Sequence, residues 1–231
     1  MTLACPILAL PRRTLQLKLL TRWEQARRSP HAFHEFLVRT NRPDGRSNVV
    51  SPWPTDRPHL RLLTDCWLAH SMILLVKSRQ MLATWWAATI ALWECLFHRN
   101  RLVMLQSKRL DDVVGDEHTG DGLLGRAKFI LHHIPCHRLL GIQCRPLTER
   151  VTFEHTHSTM WGIPQGADII RQRTPSGLIS DECAFQDEFE EAFMAMIPAI
   201  RSGGWFCGIT TPDLTDGGFT QRLYHDLADA G

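Results

Sequence analysis

The clearest hydrophobic pattern in the chain is a run of five apolar residues, followed by a polar stretch and then by a long apolar helix pattern. The run Met72–Val76 predicts a buried strand, and apolar residues recur at helical spacing over 85–92. The polar residues 77–80 connect the two. A strand, a short loop and a helix N-terminus in this order are typical of a phosphate-binding loop, because backbone N–H groups and the helix dipole face an anion there.

Other apolar segments predict further strands of one sheet: Arg101–Gln106, Gly177–Ser180 and Trp205–Ile209. Because Arg101–Gln106 follows a strand and a helix, we expect it to pair in parallel with Met72–Val76. Alternating residues predict a hairpin from Arg150–His155 and Thr159–Ile163. Ile169-Ile170-Arg171 is predicted to begin a return to the sheet.

Helical patterns fill much of the remaining chain: two within Thr14–Thr40, and one each in Pro58–His70, Leu123–Ile134, Gln186–Ile197 and Phe219–Leu227. Ser29-Pro30 separates the first two, with Ser29 as the expected cap. Asn41–Pro58, rich in Pro, Asp, Asn and Ser, predicts a loop. We therefore expect an N-terminal helical extension with a proline-rich loop over 1–57, followed by a core over 58–231.

Composition narrows the class of protein. The 231 residues are 44% hydrophobic and 22% charged with a net charge of +2, so the chain is globular and any DNA-binding surface would be a local patch. Its seven scattered cysteines form no C-x-x-C pair, which favours free thiols in a reducing compartment. The longest apolar stretch, Trp85–Phe97, contains Glu94 and is too short to span a bilayer. We expect a soluble, intracellular protein without a membrane partner.

The predicted phosphate loop departs from the usual G-x-x-x-x-G-K-[ST] template (the Walker A motif). Thr84 stands where the magnesium-binding Ser or Thr belongs, but Lys77 and Leu82 replace the two glycines and Ala83 replaces the lysine. A bulky residue at Leu82 limits the approach of the backbone to phosphate. The alternative interpretation is a core strand running into a buried helix, with Lys77 solvated.

An acidic pair ends the strand at Gly177–Ser180. P-loop ATPases present their metal site at such a position (the Walker B motif): Asp181 would hold Mg²⁺, and Glu182 would polarise the attacking water. The alternative is that Asp-Glu simply begins a helix, where acidic residues interact favourably with the dipole.

Several segments together resemble one family in motif order. These are Lys-Ser-Arg-Gln-Met followed by Thr-Trp at 77–85, Ile-Arg-Gln-x-Thr-Pro-Ser at 170–176, Asp-Glu-Cys-Ala-Phe at 181–185 and the turn Thr210-Thr211-Pro212. In that order the chain resembles the large terminase subunit of tailed bacteriophages, the motor ATPase that packs DNA. The resemblance implies a three-layer α/β P-loop ATPase domain with a mainly parallel central sheet, preceded by a short helical extension.

The resemblance also implies roles for individual residues. Catalysis would involve Glu182, Lys77 and Arg79, the metal would be held by Thr84 and Asp181, and Ser51-Pro52-Trp53-Pro54 would lie close to the adenine. The nucleotide-binding residues would be Lys77, Ser78, Arg79, Gln80, Met81, Leu82, Ala83, Thr84 and Trp85, and the coupling residues Thr210, Thr211 and Pro212.

The implied function is Mg²⁺-ATP hydrolysis coupled to packaging of double-stranded DNA in the host cytoplasm. The implied partners are DNA, a small terminase subunit, a portal protein and identical subunits in a ring. No segment after Pro212 could supply the family's nuclease domain. We expect a fragment, a split or truncated gene, or an ATPase working with a separate nuclease.

Two other interpretations stay open at this point. With Leu82 and Ala83 in the loop, the chain could be a non-catalytic, degenerate module that docks on DNA, the portal or the small subunit. A helicase-type motor is the second, although the usual arginine-rich helicase motifs are absent from the sequence.

Overall fold

The computed structural model describes residues 12–43, 48–135, 142–212 and 218–229. Seven strands form one sheet in the order β3-β9-β8-β4-β7-β6-β5. They are β3 (Met72–Val76), β4 (Leu102–Gln106), β5 (Cys144–Pro146), β6 (Arg150–Phe153), β7 (Ser158–Ile163), β8 (Gly177–Asp181) and β9 (Trp205–Thr210).

The sheet is mainly parallel. Strands β3, β9, β8, β4 and β7 pair in parallel, whereas β6 and β5 extend the β7 side as antiparallel strands. The predicted hairpin of β6 and β7 is therefore confirmed. Because the carboxyl ends of parallel strands meet at one edge, the segments after β3, β8 and β9 converge there.

The pairing expected between the first two sheet strands is wrong. Strands β3 and β4 run in the same direction, but β9 and β8 lie between them. A crossover helix brings a strand back in the same direction without making the two strands neighbours. The gap is filled by strands that come later in the sequence.

Two predictions about irregular segments are also wrong. The expected loop Asn41–Pro58 contains most of an antiparallel hairpin, formed by β1 (Arg39–Pro43) and β2 (Asn48–Pro52). Its prolines end the strands, where a missing N–H costs little of the ladder. Instead of returning to the sheet, Ile169-Ile170-Arg171 lies in a one-turn helix.

Helices cover both faces of the sheet, as expected of three layers. They are α1 (Arg12–Arg28), α2 (Pro30–Leu37), α3 (Pro58–Ala69), α4 (Ala83–Phe97), α5 (Leu110–Val114), α6 (Leu123–His132), α7 (Asp168–Arg171), α8 (Phe189–Arg201) and α9 (Phe219–Asp229). Helices α1 to α6 contribute to one apolar core and α7 to α9 to a second core across the sheet. The predicted α/β class is thus confirmed.

The N-terminal helices pack directly on α4, the helix that follows the predicted phosphate loop. The Trp93 indole N–H donates to the Ala26 carbonyl at 2.8 Å, and the His34 ring lies 2.6 Å from the Thr89 hydroxyl. Ser29 caps α2 as predicted, although its contact with the Ala32 N–H is long at 3.5 Å. Helices α1 and α2 therefore share a core with α4, and the boundary at 57 stays a prediction.

Candidate functional site

The segment between β3 and α4 contains two residues with a left-handed backbone conformation. Leu82, at the position of the template's second glycine, has φ of 59°, and Gln80 has φ of 63°. These left-handed conformations are uncommon for residues with a Cβ and are unusual for a bulky one. Leu82 therefore adopts a backbone conformation that glycine adopts more readily than leucine does.

The N-terminus of α4 is open to an anion. Leu82 forms no side-chain cap, and the first intrahelical bond runs from the Trp86 N–H to the Leu82 carbonyl at 2.9 Å. The N–H groups of Ala83, Thr84 and Trp85 therefore have no acceptor within the helix. Free N–H groups and the positive end of the helix dipole are what a phosphate group binds.

Lys77 points across the strand ends to the acidic pair. Its Nζ lies 3.1 Å from Glu182 Oε1, and its side chain is only 10% exposed. Its backbone N–H donates to the Thr210 carbonyl at 2.9 Å. Arg79 is exposed and forms no ion pair within the described part of the chain. The structure thus brings Lys77 to Glu182 and leaves Arg79 in solvent.

Glu182 also contacts the turn after β9. Its Oε2 accepts hydrogen bonds from the Thr211 N–H at 3.1 Å and from the Thr211 hydroxyl at 3.2 Å. The Thr210 hydroxyl donates to the Thr211 carbonyl at 2.9 Å and accepts from the Ala184 N–H at 3.3 Å. Glu182 itself has φ of 50°. The predicted base is therefore in direct contact with Thr211, one of the three predicted coupling residues, while Pro212 is exposed.

Asp181 lies beside the N-terminus of α4. Burial raises the pKa of its carboxyl group, as does the charge of Glu182; Arg126, Lys77 and a hydrogen bond from Thr84 act in the opposite direction. Its Oδ1 is buried without a hydrogen-bond partner among the described residues. Mg²⁺ in nucleotide sites takes one or two protein oxygens together with phosphates and water, so this carboxylate and the Thr84 hydroxyl fit it.

The described residues contain no group of three or more His, Cys, Asp or Glu side chains placed to hold a metal ion by themselves. The donor set at Asp181 and Thr84 is correspondingly small. It suits an ion that arrives with a phosphate ligand better than one held by the protein alone.

Arg126 is a site residue that the sequence reasoning missed. It lies on α6 with its guanidinium carbon 5.6 Å from the centre of the Trp85 ring, and its Nη2 is 3.9 Å from Asp121 Oδ1. Burial lowers its pKa, while Asp181 and Asp121 raise it. A signal existed in the sequence: the spacing of Arg126 from Leu123 and Ile130 places a charge on the apolar side of α6.

The remaining loop residues differ in their exposure and contacts. Ser78 and Gln80 are exposed, and the Met81 carbonyl lies 3.1 Å from the His59 ring. The Trp85 side chain is buried against Phe129, with ring centres 5.5 Å apart. Of the nine residues predicted to bind nucleotide, Trp85 can therefore offer only its backbone N–H.

The buried side-chain amides of two glutamines form hydrogen bonds near the carboxyl end of β8, where Asp181 lies. Gln186 donates to the Asp181 carbonyl at 2.9 Å and to the Ser180 hydroxyl at 3.0 Å. Gln106, at the end of β4, donates to the carbonyls of Pro164 and Gly166 at 3.1 and 2.9 Å. The Gln186 bond to the Asp181 carbonyl helps to fix the backbone at the end of β8, because buried polar groups left without partners are costly. The sequence reasoning missed the role of Gln186.

A cavity of about 240 Å³ lies next to the segment predicted to approach the adenine. Trp53 stacks on His34 with ring centres 4.6 Å apart. The cavity is lined by His31, His34, Glu35, Trp53, Pro54, Thr55, Arg57, Leu60 and Arg61. It opens near the start of α3, the helix whose His59 contacts Met81 of the phosphate loop.

Solved structures of phage large terminases are similar to the chain. The large terminase of bacteriophage HK97 superposes with a TM-score of 0.54 at 15% identity, over 86% of this chain and 40% of that one. An arginine-to-alanine variant of the large terminase ATPase domain from Thermus phage P74-26 gives a TM-score of 0.51 at 15% identity, over 66% of this chain and 63% of that one. The chain has the fold of a phage large-terminase ATPase domain.

The resemblance found in the sequence is therefore confirmed for the fold. The chain spans less than two thirds of each of these terminase structures. No protein-family model matches the sequence, and no curated protein matches it. None of the helices in the described ranges is long and apolar enough to cross a membrane.

Proposed function

We propose that the chain is an ATP-hydrolysing motor domain of a phage large terminase. One observation carries the proposal. Lys77, Thr84, Asp181 and Glu182 come from two segments about a hundred residues apart and converge at the carboxyl edge of the sheet, beside a helix N-terminus. In parallel α/β sheets this edge is the usual ligand site.

The phosphates of ATP would bind the open end of α4. The N–H groups of Ala83, Thr84 and Trp85 supply donors without charge. Lys77 adds a positive charge from the strand end, and its long, flexible side chain acts as a point charge without a fixed fork. Arg79, which is exposed, can add a second positive charge that binds phosphate oxygens in pairs. The cavity beside Trp53 is the candidate site for the base.

Thr84 and Asp181 would hold Mg²⁺, because the hydroxyl and the carboxylate lie together and Asp181 Oδ1 lacks a partner in the described structure. When bound, the ion neutralises charge that develops on the phosphate oxygens. Glu182 would accept a hydrogen bond from the attacking water and so orient it. To do so, Glu182 Oε1 would have to leave Lys77.

The coupling of hydrolysis to DNA movement would begin at Glu182 and Thr211. The Thr211 N–H and hydroxyl both donate to Glu182, so a change at this carboxylate reaches the turn after β9 directly. The proposed cargo is double-stranded DNA. The proposed partners are a small terminase subunit, a portal protein and further copies of the chain in a ring, with the host cytoplasm as the place of action.

The proposal is tested by magnesium-dependent nucleotide binding to the full chain. We expect Asp181→Ala to abolish the part of ATP affinity that depends on Mg²⁺, as measured by calorimetry with and without the ion. Asp187→Ala is the matched control, because Asp187 is an exposed carboxylate nearby that pairs with Lys108. Equal magnesium dependence in the parent and Asp181→Ala would contradict the proposed metal site.

A second function is favoured by the loop itself. Leu82 places a bulky side chain where phosphate-binding loops carry glycine, and Lys77 is already paired with Glu182. Both features suit a degenerate module that docks on DNA, the portal or the small subunit without hydrolysing ATP. A chain that binds no ATP with or without Mg²⁺ would support this function instead.

A further inference from the structure

One face of the sheet carries arginines around one tryptophan, and these arginines form no ion pair within the described part of the chain. On β6 and β7, Val151, Phe153 and Met160 point into the first core. Alternation therefore places Arg150, Thr152, Thr159 and Trp161 on the opposite face. We call this group, together with Arg145 and Arg173, the arginine face. Arg145 belongs to it because it pairs directly with Thr152 across β5 and β6.

Trp161 holds two of the guanidinium groups. The Arg150 guanidinium carbon lies 3.7 Å from the centre of a Trp161 ring, and that of Arg173 lies 5.7 Å away. Neither arginine makes a hydrogen bond or ion pair from its side chain to another residue of the described ranges. A stacked, planar guanidinium loses less freedom when it binds a ligand than a free one does. The stack therefore presents two positive charges at defined positions, without an ion-pair partner among the described residues.

Trp161 packs against the second core, and the other residues of the arginine face are polar. Arg145 and Arg173 are exposed, whereas Arg150, Thr152 and Thr159 are half-buried. The acidic residues nearest along the chain, Glu149 and Glu154, flank β6 and form no ion pair with these arginines. The face thus has local positive charge in a chain whose net charge is only +2.

We propose that the arginine face binds the phosphate backbone of double-stranded DNA. Protein partners are bound around a buried apolar centre, which this face does not have, whereas DNA-binding surfaces are polar and strongly positive. The Trp161 ring is already covered by a guanidinium, so it is not free to stack on an unpaired base. This inference deepens the proposed function, because it names the surface on which the DNA cargo would lie.

The test compares salt dependence across matched variants of the full chain. Fluorescence anisotropy with a short labelled duplex of mixed sequence gives the slope of log affinity against log salt. Each lost phosphate contact makes that slope shallower by about 0.9. We expect the slope to become shallower by about 0.9 for Arg150→Gln and by about twice as much for Arg150→Gln/Arg173→Gln. The double variant should also lose roughly tenfold or more in affinity at about 50 mM salt.

Two control variants separate the loss of phosphate contacts at this face from other effects of substitution. Arg99→Gln removes an exposed arginine beyond α4, outside the arginine face, and should keep the parental slope. Trp161→Leu keeps every charge but frees the guanidinium groups, so affinity should fall while the slope is retained. A parental slope in the double variant, or an equal loss in Arg99→Gln, overturns the proposal. Tighter binding of single-stranded DNA than of the duplex also overturns the proposal.

The same samples distinguish failure of this inference from failure of the proposed function. ATP hydrolysis without DNA should be unchanged in the arginine variants, because none of the altered residues lies at the phosphate loop. If the parent hydrolyses no ATP but the arginine variants lose duplex affinity, only the motor function fails. If hydrolysis is intact and duplex binding is parental in every variant, only the arginine face fails.

Discussion

Lys77 stands at the front of the phosphate loop, one residue beyond the end of β3. In the structure its ammonium pairs with Glu182, although the proposed role for Lys77 is at the phosphates of ATP. Both roles are compatible, because the side chain is long and its three donors rotate. Its pairing also satisfies a carboxylate that would otherwise lie beside Asp181 without a positive partner.

Lys77→Ala and Arg79→Ala should therefore differ. We expect Lys77→Ala to lose ground-state ATP affinity, because it removes a largely buried positive charge at the strand end. Arg79→Ala should keep most affinity and lose turnover, because an exposed arginine is free to stabilise charge that develops during phosphoryl transfer. Affinity and steady-state hydrolysis, measured side by side for both variants, check this. Unchanged values for Lys77→Ala would remove Lys77 from the site.

The site residues that could be predicted from the sequence are those at the ends of strands. Asp181 and Lys77 each follow an apolar run, and in a parallel sheet such ends must meet. Arg126 and Gln186 could not be placed in the same way. Their contacts with Asp181 depend on where α6 and the chain after β8 pack, which local patterns do not determine.

At the scale of elements, the unusual unit is the loop that begins α4. Leu82 has a left-handed conformation that costs roughly 1–2 kcal/mol for a residue with a Cβ. Its side chain also packs against the first core, which compensates for part of this cost. Non-glycine residues held in such conformations often occur at functional sites.

Leu82→Gly should increase ATP affinity, because it removes the side chain that keeps phosphate away from the backbone. Its unfolding free energy should change little, since relief of strain offsets the lost apolar contact. Ala83→Gly is the control, because Ala83 is already helical and gains no relief. Calorimetric binding and urea unfolding of both variants measure the two quantities. Weaker ATP binding by Leu82→Gly would show that Leu82 contributes to the site.

The elements that sequence missed share one physical cause. Strand β1 contains few apolar residues, and Pro43 and Pro52 end the hairpin strands, so the segment has the composition of a loop. Its pairing comes from a neighbouring strand and from contact with the rest of the molecule, such as the Asn41 amide bond to the Thr119 carbonyl at 2.6 Å. The local composition indicates neither the neighbouring strand nor the contact with the rest of the molecule.

At the scale of the whole molecule, His34 joins the N-terminal helices to the core. Its ring contacts the Thr89 hydroxyl of α4 and stacks on Trp53. Burial, and then the nearby His31, lowers the pKa of His34 from 6.5 to about 3. Between these two values the unfolded chain binds a proton at this residue that the folded chain does not.

The free energy of unfolding should therefore fall as pH decreases from about 6.5 towards 3, by at most about 1.4 kcal/mol per pH unit from this residue. His34→Gln should flatten that dependence, whatever its stability at neutral pH. Exposed His225→Gln is the control. Urea unfolding at several pH values gives the slopes. Equal slopes for the parent and His34→Gln would show that His34 is not the group responsible.

The most direct test of the proposed ATPase concerns Glu182. The test compares the full chain with its Glu182→Gln variant. It measures ATP affinity in the presence of Mg²⁺ and the steady-state rate of ATP hydrolysis. Glutamine keeps the shape and can still accept hydrogen bonds from Thr211, but it cannot orient the attacking water as a carboxylate does. Binding should be kept and turnover should fall by roughly a hundredfold or more. Turnover by Glu182→Gln at the parental rate would contradict the account.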